Sequence, residues 1–316
     1  TYAGNRATIA PFEDHERYTF CYEDICDRDA MRKVFQDHKP TAVMHLAAES
    51  HVDRSIDGPW DFIQTNIVGT YTLLEVCREY MSTGVSDETS FRFHHVSTDE
   101  VFGTLGDEGL FTEDSPYMPN SPYSASKASS DHLVRSWNET FKLPVVLSNC
   151  SNNYGPYQYP EKLLPVIISK ALAGEAIPVY GTGQNVRDWL YVDDHASALV
   201  RILGKGKDGR SYNVGGNEER ANLDVVRVVC RILDDLRPAA GGKKYEDQIE
   251  FVTDRPGHDF RYAIDFSKIR SELDWVPNES FETGIEKTIR WYMENRHWVQ
   301  QVKSGEYRRW INQQYG

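Results

Sequence analysis

The stretch FRFHHVSTDEVFGT, Phe91 to Thr104, reads as a strand that runs into four polar side chains, Ser97, Thr98, Asp99 and Glu100. Helix capping is one reading of that run. Ser97-x-x-Glu100 has capping-box spacing, and acidic residues are favoured in a helix's first turn. His94 and His95 lie mid-strand, where alternation lets at most one face the core, and neither has metal-ligand company. Working outward, SPYSASKASSDHLVRSWNETF reads as a helix and PVVLSNC as the next strand. Upstream, DAMRKVFQDH reads as a helix, AVMHLAAES as a continuous apolar strand, and about Trp60 to Tyr80 as a long helix; RYTFCYEDI (Arg17 to Ile25) reads as one more strand. Strand, helix, strand in this rhythm predicts an α/β fold, a doubly wound parallel sheet covered on both faces. Ligands on such sheets sit beyond the carboxyl ends of the strands.

After Tyr154 the texture changes. NNYGPYQYPEKLLP, rich in Asn, Pro and Tyr, suggests a loop leaving the sheet. Beyond it come a helix near Leu163 to Leu172, short strands at Ile177 to Tyr180 and Asp188 to Val192, a helix from Leu223 to Leu236, and a last helix from Phe281 to Asn295. Val225, Val229, Ile232 and Leu236 fall at helical spacing. The expected division is a first domain over 1–154 and a smaller mixed α/β lobe over 155–316, with 186–214 returning to the first domain and a cleft between the two.

The 316 residues are 40% hydrophobic and 26% charged, enough for a sizeable core. A net charge of −13 argues against a nucleic-acid-binding face. An anionic ligand would have to be held by a few placed Arg, Lys and backbone N–H groups. Five scattered cysteines (Cys21, Cys26, Cys77, Cys150, Cys230) make no disulfide framework, and Cys21 and Cys26 lack the second pair a zinc site needs. The expectation is reduced thiols, no metal and a cytoplasmic setting. No signal peptide and no apolar run of membrane-spanning length is seen, so no membrane partner is expected.

The strongest local signal is YSASK, with Tyr123 and Lys127 four apart. On a helix they share a face, and a nearby ammonium lowers a phenol from ~10 towards neutrality. Such a tyrosine can remove a proton from a secondary alcohol. Ser121 and Pro122 supply a cap and a first-turn proline, placing the pair near the helix start. A Tyr and a Lys on a solvated face would show the same spacing.

The wider context resembles the extended short-chain dehydrogenase/reductase family. There a Tyr and a Lys work with a Ser or Thr ending the preceding strand, and the matching position is Thr98. HLAAESHVDRS (His45 to Ser55) resembles the family's loop over the bound dinucleotide, Asp24-Ile25 its adenine-contacting pair, and NIVGT (Asn66 to Thr70) its dimer-helix signature. The resemblance implies a Rossmann-type NAD-binding sheet, with Asp24, Ile25, Leu46, Ala47, Ala48, Ser50, Thr65, Tyr123, Lys127 and Asn153 on the cofactor side. The family's first strand, its glycine-rich pyrophosphate loop and the acidic ribose-binding residue precede the point matched by TYAGN. The sequence therefore reads as one lacking roughly 30 residues of a βαβ unit.

STDEVFG, YSASKASSDHLVR, NCSNNYGPYQYPEKLLP, RDWLYVDDHA and DRPGHDFRYAID together resemble the family's branch that dehydrates nucleotide-linked glucose. An alcohol oxidation needs only Tyr123, Lys127 and Thr98; Asp99 and Glu100 are surplus to it. Once C4 of a glucose is a ketone, a carboxylate can take the acidified C5 proton and a carboxylic acid can protonate the departing C6 hydroxyl. Two close carboxyls in a dry cleft tend to that mixed state, because ionising both is costly. The resemblance assigns the acid to Asp99 and the base to Glu100, with hydride returning to C6 so that NAD is cycled internally.

For the substrate, a dTDP-linked glucose, Arg187 and Arg255 suit the diphosphate. The resemblance adds Ser50, Thr98, Asn152, Lys162, Leu163 and Asn222, with Pro178 and Tyr180 near the base; His258 reads either as a diphosphate contact or as a satisfied loop histidine. It also implies a homodimer through a four-helix bundle of the helices beginning near Trp60 and Tyr123, with Val68, Thr72, Leu133 and Trp137 suitably spaced. Alternatives are a nucleotide-sugar epimerase or decarboxylase, against which the Asp-Glu pair counts, and a non-catalytic dinucleotide-binding regulator, against which the intact Thr98, Asp99, Glu100, Tyr123 and Lys127 count.

Overall fold

A computed structural model describes residues 3–84, 91–254 and 256–305. Four parallel strands form the main sheet: β1 (Ala42–His45), β2 (Arg92–Thr98), β3 (Val145–Cys150) and β7 (Ser211–Val214), in the order β1-β2-β3-β7. In β3, Val145 and Leu147 point into a core with α1 (Arg28–His38), α4 (Thr70–Ser82) and α5 (Pro122–Phe141). Val146 points the other way, against α7 (Val192–Lys205) and α9 (Ser267–Leu273). Burial on both faces is why β3 reads as an unbroken apolar run.

The same geometry corrects the reading of the histidines. Both His94 and His95 are fully buried, because each face of β2 carries its own layer of helices. His94 bonds Ser148 Oγ (2.9 Å), and His95 faces α5. A second correction concerns residues 17–25, which form no strand. Among the described residues no backbone completes a ladder with them, and Phe20 and Tyr22 stay exposed; β-propensity without a partner's N–H and C=O groups does not make a strand. AVMHLAAES is strand only over Ala42–His45, and Leu46 beyond it is 54% exposed.

The long helix runs over 59–82 as α3 (Pro59–Phe62), a π-helical stretch (Ile63–Gly69) and α4. At Gly69 a Cβ would collide with the Ile25 side chain, so the glycine lets the helix approach the preceding loop. Asn66, buried in the π stretch, bonds Glu49 N (2.8 Å), Glu49 O (3.0 Å) and Ser126 Oγ (2.8 Å). It thereby fixes the loop after β1 to α5.

The rest of the chain adds β4 (Asn152–Tyr154) and β8 (Glu219–Ala221) flanking β6 (Val186–Tyr191), and a β5 (Ile177–Tyr180) and β9 (Ile249–Val252) pair. Their core is built by α6 (Leu163–Ala173), α8 (Asn222–Leu236), α10 (Phe281–Glu294) and α11 (Arg296–Ser304). The chain does not end its helices at Asn295 as the sequence suggested. That residue links α10 to α11, whose Trp298 and Val302 are buried in this core.

Candidate active site

The carboxyl ends of β1, β2 and β3 lie on one edge of the sheet, and the site is built there. Thr98 ends β2 with its hydroxyl accepting from Glu100 N (3.3 Å), which caps a single 3-10 turn over Asp99–Phe102. The cap is therefore Thr98, not Ser97; the Ser97 hydroxyl donates instead to Asp131 (2.8 Å). The turn also removes the strand alternation that would have sent Asp99 and Glu100 to opposite faces. Gly103 closes it at φ +88°, where a Cβ would also run into the Met118 carbonyl oxygen. Only glycine meets both demands.

Asp99 is 1% exposed, with Oδ1 3.4 Å from the Thr98 hydroxyl and Oδ2 without a hydrogen-bond partner. Burial pushes its carboxyl well above the usual range; the charges of Glu100 and Asp188 push the same way, and Arg187 only partly offsets them. Glu100 is half-buried and faces a cavity of about 260 Å³. The turn thus sets a buried carboxyl, shifted towards its acid form, beside an accessible one.

Across from them, Ser121 and Ser124 form a capping box (Ser124 N to Ser121 Oγ, and Ser121 N to Ser124 Oγ, both 3.0 Å) with Pro122 in the first turn. Tyr123 and Lys127 are buried on the inner face of α5, with Thr98 close enough to the phenol to favour its phenolate. The phenol is not lowered towards neutrality as the spacing suggested. Burial raises it well above its usual value, and Glu100 adds to the rise. Lys127 donates to the Val96 carbonyl (2.8 Å) and shares its helix face with Asp131, so its charge is spent elsewhere in the protein alone.

The cavity gathers most of the expected ligand-binding residues. Ser50, Asn152, Asn153, Lys162, Leu163, Pro178, Tyr180, Arg187, Asn222 and His258 all line it. Lys162 Nζ donates to Ser50 O (2.7 Å), clamping the loop after β1 to the start of α6. Arg187 is buried, donating to Val186 O (2.7 Å) and Asp259 O (2.9 Å) with its guanidinium 4.3 Å from the Tyr262 ring centre. His258 Nδ1 lies 2.6 Å from Asp254. Arg255 falls outside the described residues.

Leu46, Ala47 and Ala48 sit just beyond β1, on the sheet edge beside the cavity, whereas Asp24, Ile25 and Thr65 are not among its lining. Asp24 Oδ1 accepts from Cys26 N (2.8 Å). Two observations fit a dinucleotide at this edge. The Oδ1 atoms of Asn152 and Asn153 are buried without partners, and Leu46 is an exposed apolar side chain at a ligand-facing strand end. Lys127, with one of its three N–H donors on Val96, suits the hydroxyls of a ribose.

Sequence reasoning missed Tyr262, whose hydroxyl bonds Asp259 and whose ring faces the cavity under Arg187. It missed His51, Gln158 and Glu161 as well, which line the same space. Only the proximity of Tyr262 to the DRPGH motif could have pointed to it. A wider, shallower concavity of about 740 Å³ lies between the segment at Asn5–Glu13 and α11, away from these groups.

The profile of the GDP-mannose 4,6 dehydratase family matches residues 1–288. A dTDP-glucose 4,6-dehydratase of Escherichia coli K12 is 58% identical over 325 aligned residues, covering 100% of this chain and 90% of the relative. Among solved structures, the dTDP-glucose 4,6-dehydratase DesIV of Streptomyces venezuelae, with NAD bound, superposes with a TM-score of 0.87 at 42% identity, covering 96% of this chain and 88% of that one. The Bacillus anthracis enzyme of the same name, also in complex with NAD, gives 0.84 at 42% identity over the same shares. A parallel sheet with Thr, Tyr and Lys at its carboxyl edge and an acid–carboxylate pair in the turn above it thus coincides with full-length similarity: the chain belongs to the nucleotide-sugar 4,6-dehydratase family, on its dTDP-glucose 4,6-dehydratase branch.

Proposed function

We propose that this protein dehydrates dTDP-glucose to dTDP-4-keto-6-deoxyglucose. The observation that carries the reading is the Asp99–Glu100 turn, which sets a buried carboxyl, shifted by burial towards its acid form, beside an accessible one at the mouth of the sheet. NAD, when bound, takes the hydride from C4 and returns it to C6. Tyr123 accepts the C4 hydroxyl proton, with Thr98 in hydrogen-bonding reach to orient the phenol and Lys127 behind it. Glu100 then removes the C5 proton made acidic by the ketone, and Asp99 gives its proton to the C6 hydroxyl, which leaves as water. As hydride reaches C6, Glu100 returns a proton to C5, and the proton taken up by Tyr123 offsets the one Asp99 has lost, the two being reset by exchange with solvent. Keeping Asp99 protonated at neutral pH takes a dry site, and its burial supports that role.

Arg187, Lys162, Asn222 and His258 would hold the diphosphate and Pro178 with Tyr180 the base, in the lobe built on the β4-β6-β8 sheet and the β5–β9 pair. Leu46 to Ala48, Ser50 and Asn153 would lie against the cofactor, with Asp24, Ile25 and Thr65 towards its adenosine end. The family profile is described by a GDP-sugar, but the 58%-identical relative is named for a dTDP-sugar, which favours dTDP-glucose as the substrate.

A homodimer accompanies this reading. Trp60 (63% exposed), Ile63 and Tyr71 on the 59–82 helix and Phe141 on α5 form an outward apolar face that a second copy would cover. Val68 belongs to that face, Leu133 and Trp137 are shared with the subunit's core, and Thr72 is buried inside it. Among the described residues the five cysteines are free and no helix is long and apolar enough to cross a membrane, which suits the cytoplasm.

The test is mass spectrometry of dTDP-glucose, GDP-mannose and UDP-glucose after incubation with the full-length protein and NAD. A product one water lighter from dTDP-glucose, without net NADH, is the expected result. Conversion of another nucleotide sugar instead would overturn the substrate, and an epimer of unchanged mass would overturn the reaction.

A further inference from the structure

Behind Tyr123 lies a buried polar cluster for which the proposed reaction has no use. Asp131 follows Lys127 by one helical turn and Tyr123 by two, and is fully buried. Its Oδ2 accepts from the hydroxyls of Ser97 and Tyr117, both at 2.8 Å, and lies 3.4 Å from Asn149 Nδ2. Its Oδ1 is 3.2 Å from His95 Nε2, without an in-line hydrogen bond. A carboxylate this deep requires a reason, since an unpaired buried charge is costly. Lys127, equally buried, has the same need, and its bond to the Val96 carbonyl leaves its charge uncompensated. At i and i+4 the two share one face of α5.

We infer that Asp131 is a positioning residue: the buried counter-ion that keeps Lys127 protonated behind Tyr123. The inference rests on the reading of Tyr123 and Lys127 as the alcohol-oxidising pair.

Among the described groups around the pair, Asp131, one turn along the same buried helix, is the carboxylate whose charge acts most on Lys127. From β2 comes His95 and from β1 His45, whose ring centre is 5.1 Å from that of His95. Burial lowers the His95 imidazole to about 4 and His45 well below its usual value, so both are neutral near pH 7. From β3 comes Cys150, whose thiol burial raises to about 12. Tyr117 reaches in from the loop before α5, Phe62 comes from α3 and Thr70 from α4. Glu75 of α4 is engaged by Arg78 and Trp137 further along. Asp99 and Glu100 face the phenol rather than the ammonium. For Lys127, burial lowers the pKa and Asp131 is the largest opposing charge. Burial alone would raise the Asp131 carboxyl, yet His95, Lys127 and Ser97 hold it below its usual value.

The test is Asp131→Asn, made alone and in the Lys127→Met background. Without its counter-ion Lys127 loses its proton at lower pH, phenolate formation loses a neighbouring cation, and the acid limb of C4 oxidation, followed as nicotinamide absorbance in single turnovers, should move up by at least one pH unit. On that limb one unit is a tenfold loss of rate. Thermal unfolding is the second readout. Asp131→Asn should lower the midpoint in the wild type and raise it in the Lys127→Met background, where Asp131 is the orphan charge. An acid limb that stays put or moves down, or an equal fall in midpoint in both backgrounds, overturns the inference. Should the single variant not fold, the double variant against Lys127→Met alone decides it by the sign of the shift. Failure of the wild-type protein to oxidise dTDP-glucose would instead count against the functional reading itself.

Discussion

The two walls of the cleft solve opposite problems. The sheet-side wall, carrying Thr98, Asp99, Tyr123 and Lys127, is buried, and burial displaces the ionisation of Asp99, Tyr123 and Lys127 from ordinary values. The facing wall presents Arg187 braced on backbone carbonyls and stacked on Tyr262, with Lys162 clamped to Ser50 and His258 held by Asp254. In the first wall the surroundings tune proton affinity. In the second they fix positive groups in place so that an anion can meet them without rearrangement. Damage to the first should therefore appear in the rate of a chemical step, and damage to the second in substrate affinity.

The largest effect is expected at Tyr123. Tyr123→Phe removes the base while leaving the ring contacts with Phe62, so C4 oxidation should slow by about 10²–10⁴ with little change in KM, measured as the single-turnover nicotinamide transient. A KM effect of similar size would blur the two walls. Next are Asp99→Asn and Glu100→Gln, each of which should permit hydride transfer yet slow water loss by about 10²–10⁴, so that reduced nicotinamide accumulates. Dehydration at the wild-type rate by either variant would remove that residue from the scheme.

Asp99 also carries a stability signature. Its folded-state pKa is raised, so its favourable contribution is fully present below the unfolded value of about 3.9 and is lost as pH climbs towards the folded value. Asp99→Asn should therefore raise the unfolding midpoint near pH 7, with the gain fading in acid. Gly103→Ala should cost about 1–3 kcal/mol in chemical denaturation, from positive φ and the clash with Met118. The smallest effect should be that of Lys162→Ala, which should raise KM about tenfold, roughly 1.4 kcal/mol, with kcat nearly intact.

Much of the sheet-side wall was legible because its signals are local. Helical spacing of Tyr123 and Lys127, the Ser121–Pro122 start and the apolar run of β3 each follow from a short window of sequence. What failed was non-local. Residues 17–25 look like a strand but have no neighbour with which to pair, and His94 with His95 are both buried because helices from distant segments cover each face of β2. The direction of the Tyr123 shift was misjudged for the same reason. Lys127 sits at the right spacing, but burial by the surrounding elements, with the Glu100 carboxylate adding to it, raises the phenol. On the recognition wall, Lys162 was found by resemblance and Arg187 and His258 as candidate diphosphate contacts; Tyr262 was missed, since its place under Arg187 depends on two segments 75 positions apart (262 − 187) meeting across the cleft.

The central claim is that one bound nicotinamide carries hydride from C4 to C6 around a water loss governed by Asp99 and Glu100. The most direct measurement is the mass and label position of product formed from dTDP-glucose deuterated at C4. The account predicts a product one water lighter with the deuterium retained at C6, and for Asp99→Asn a labelled reduced nicotinamide that persists on the enzyme. Release of the label to free NADH or solvent, or a product of unchanged mass, would contradict it.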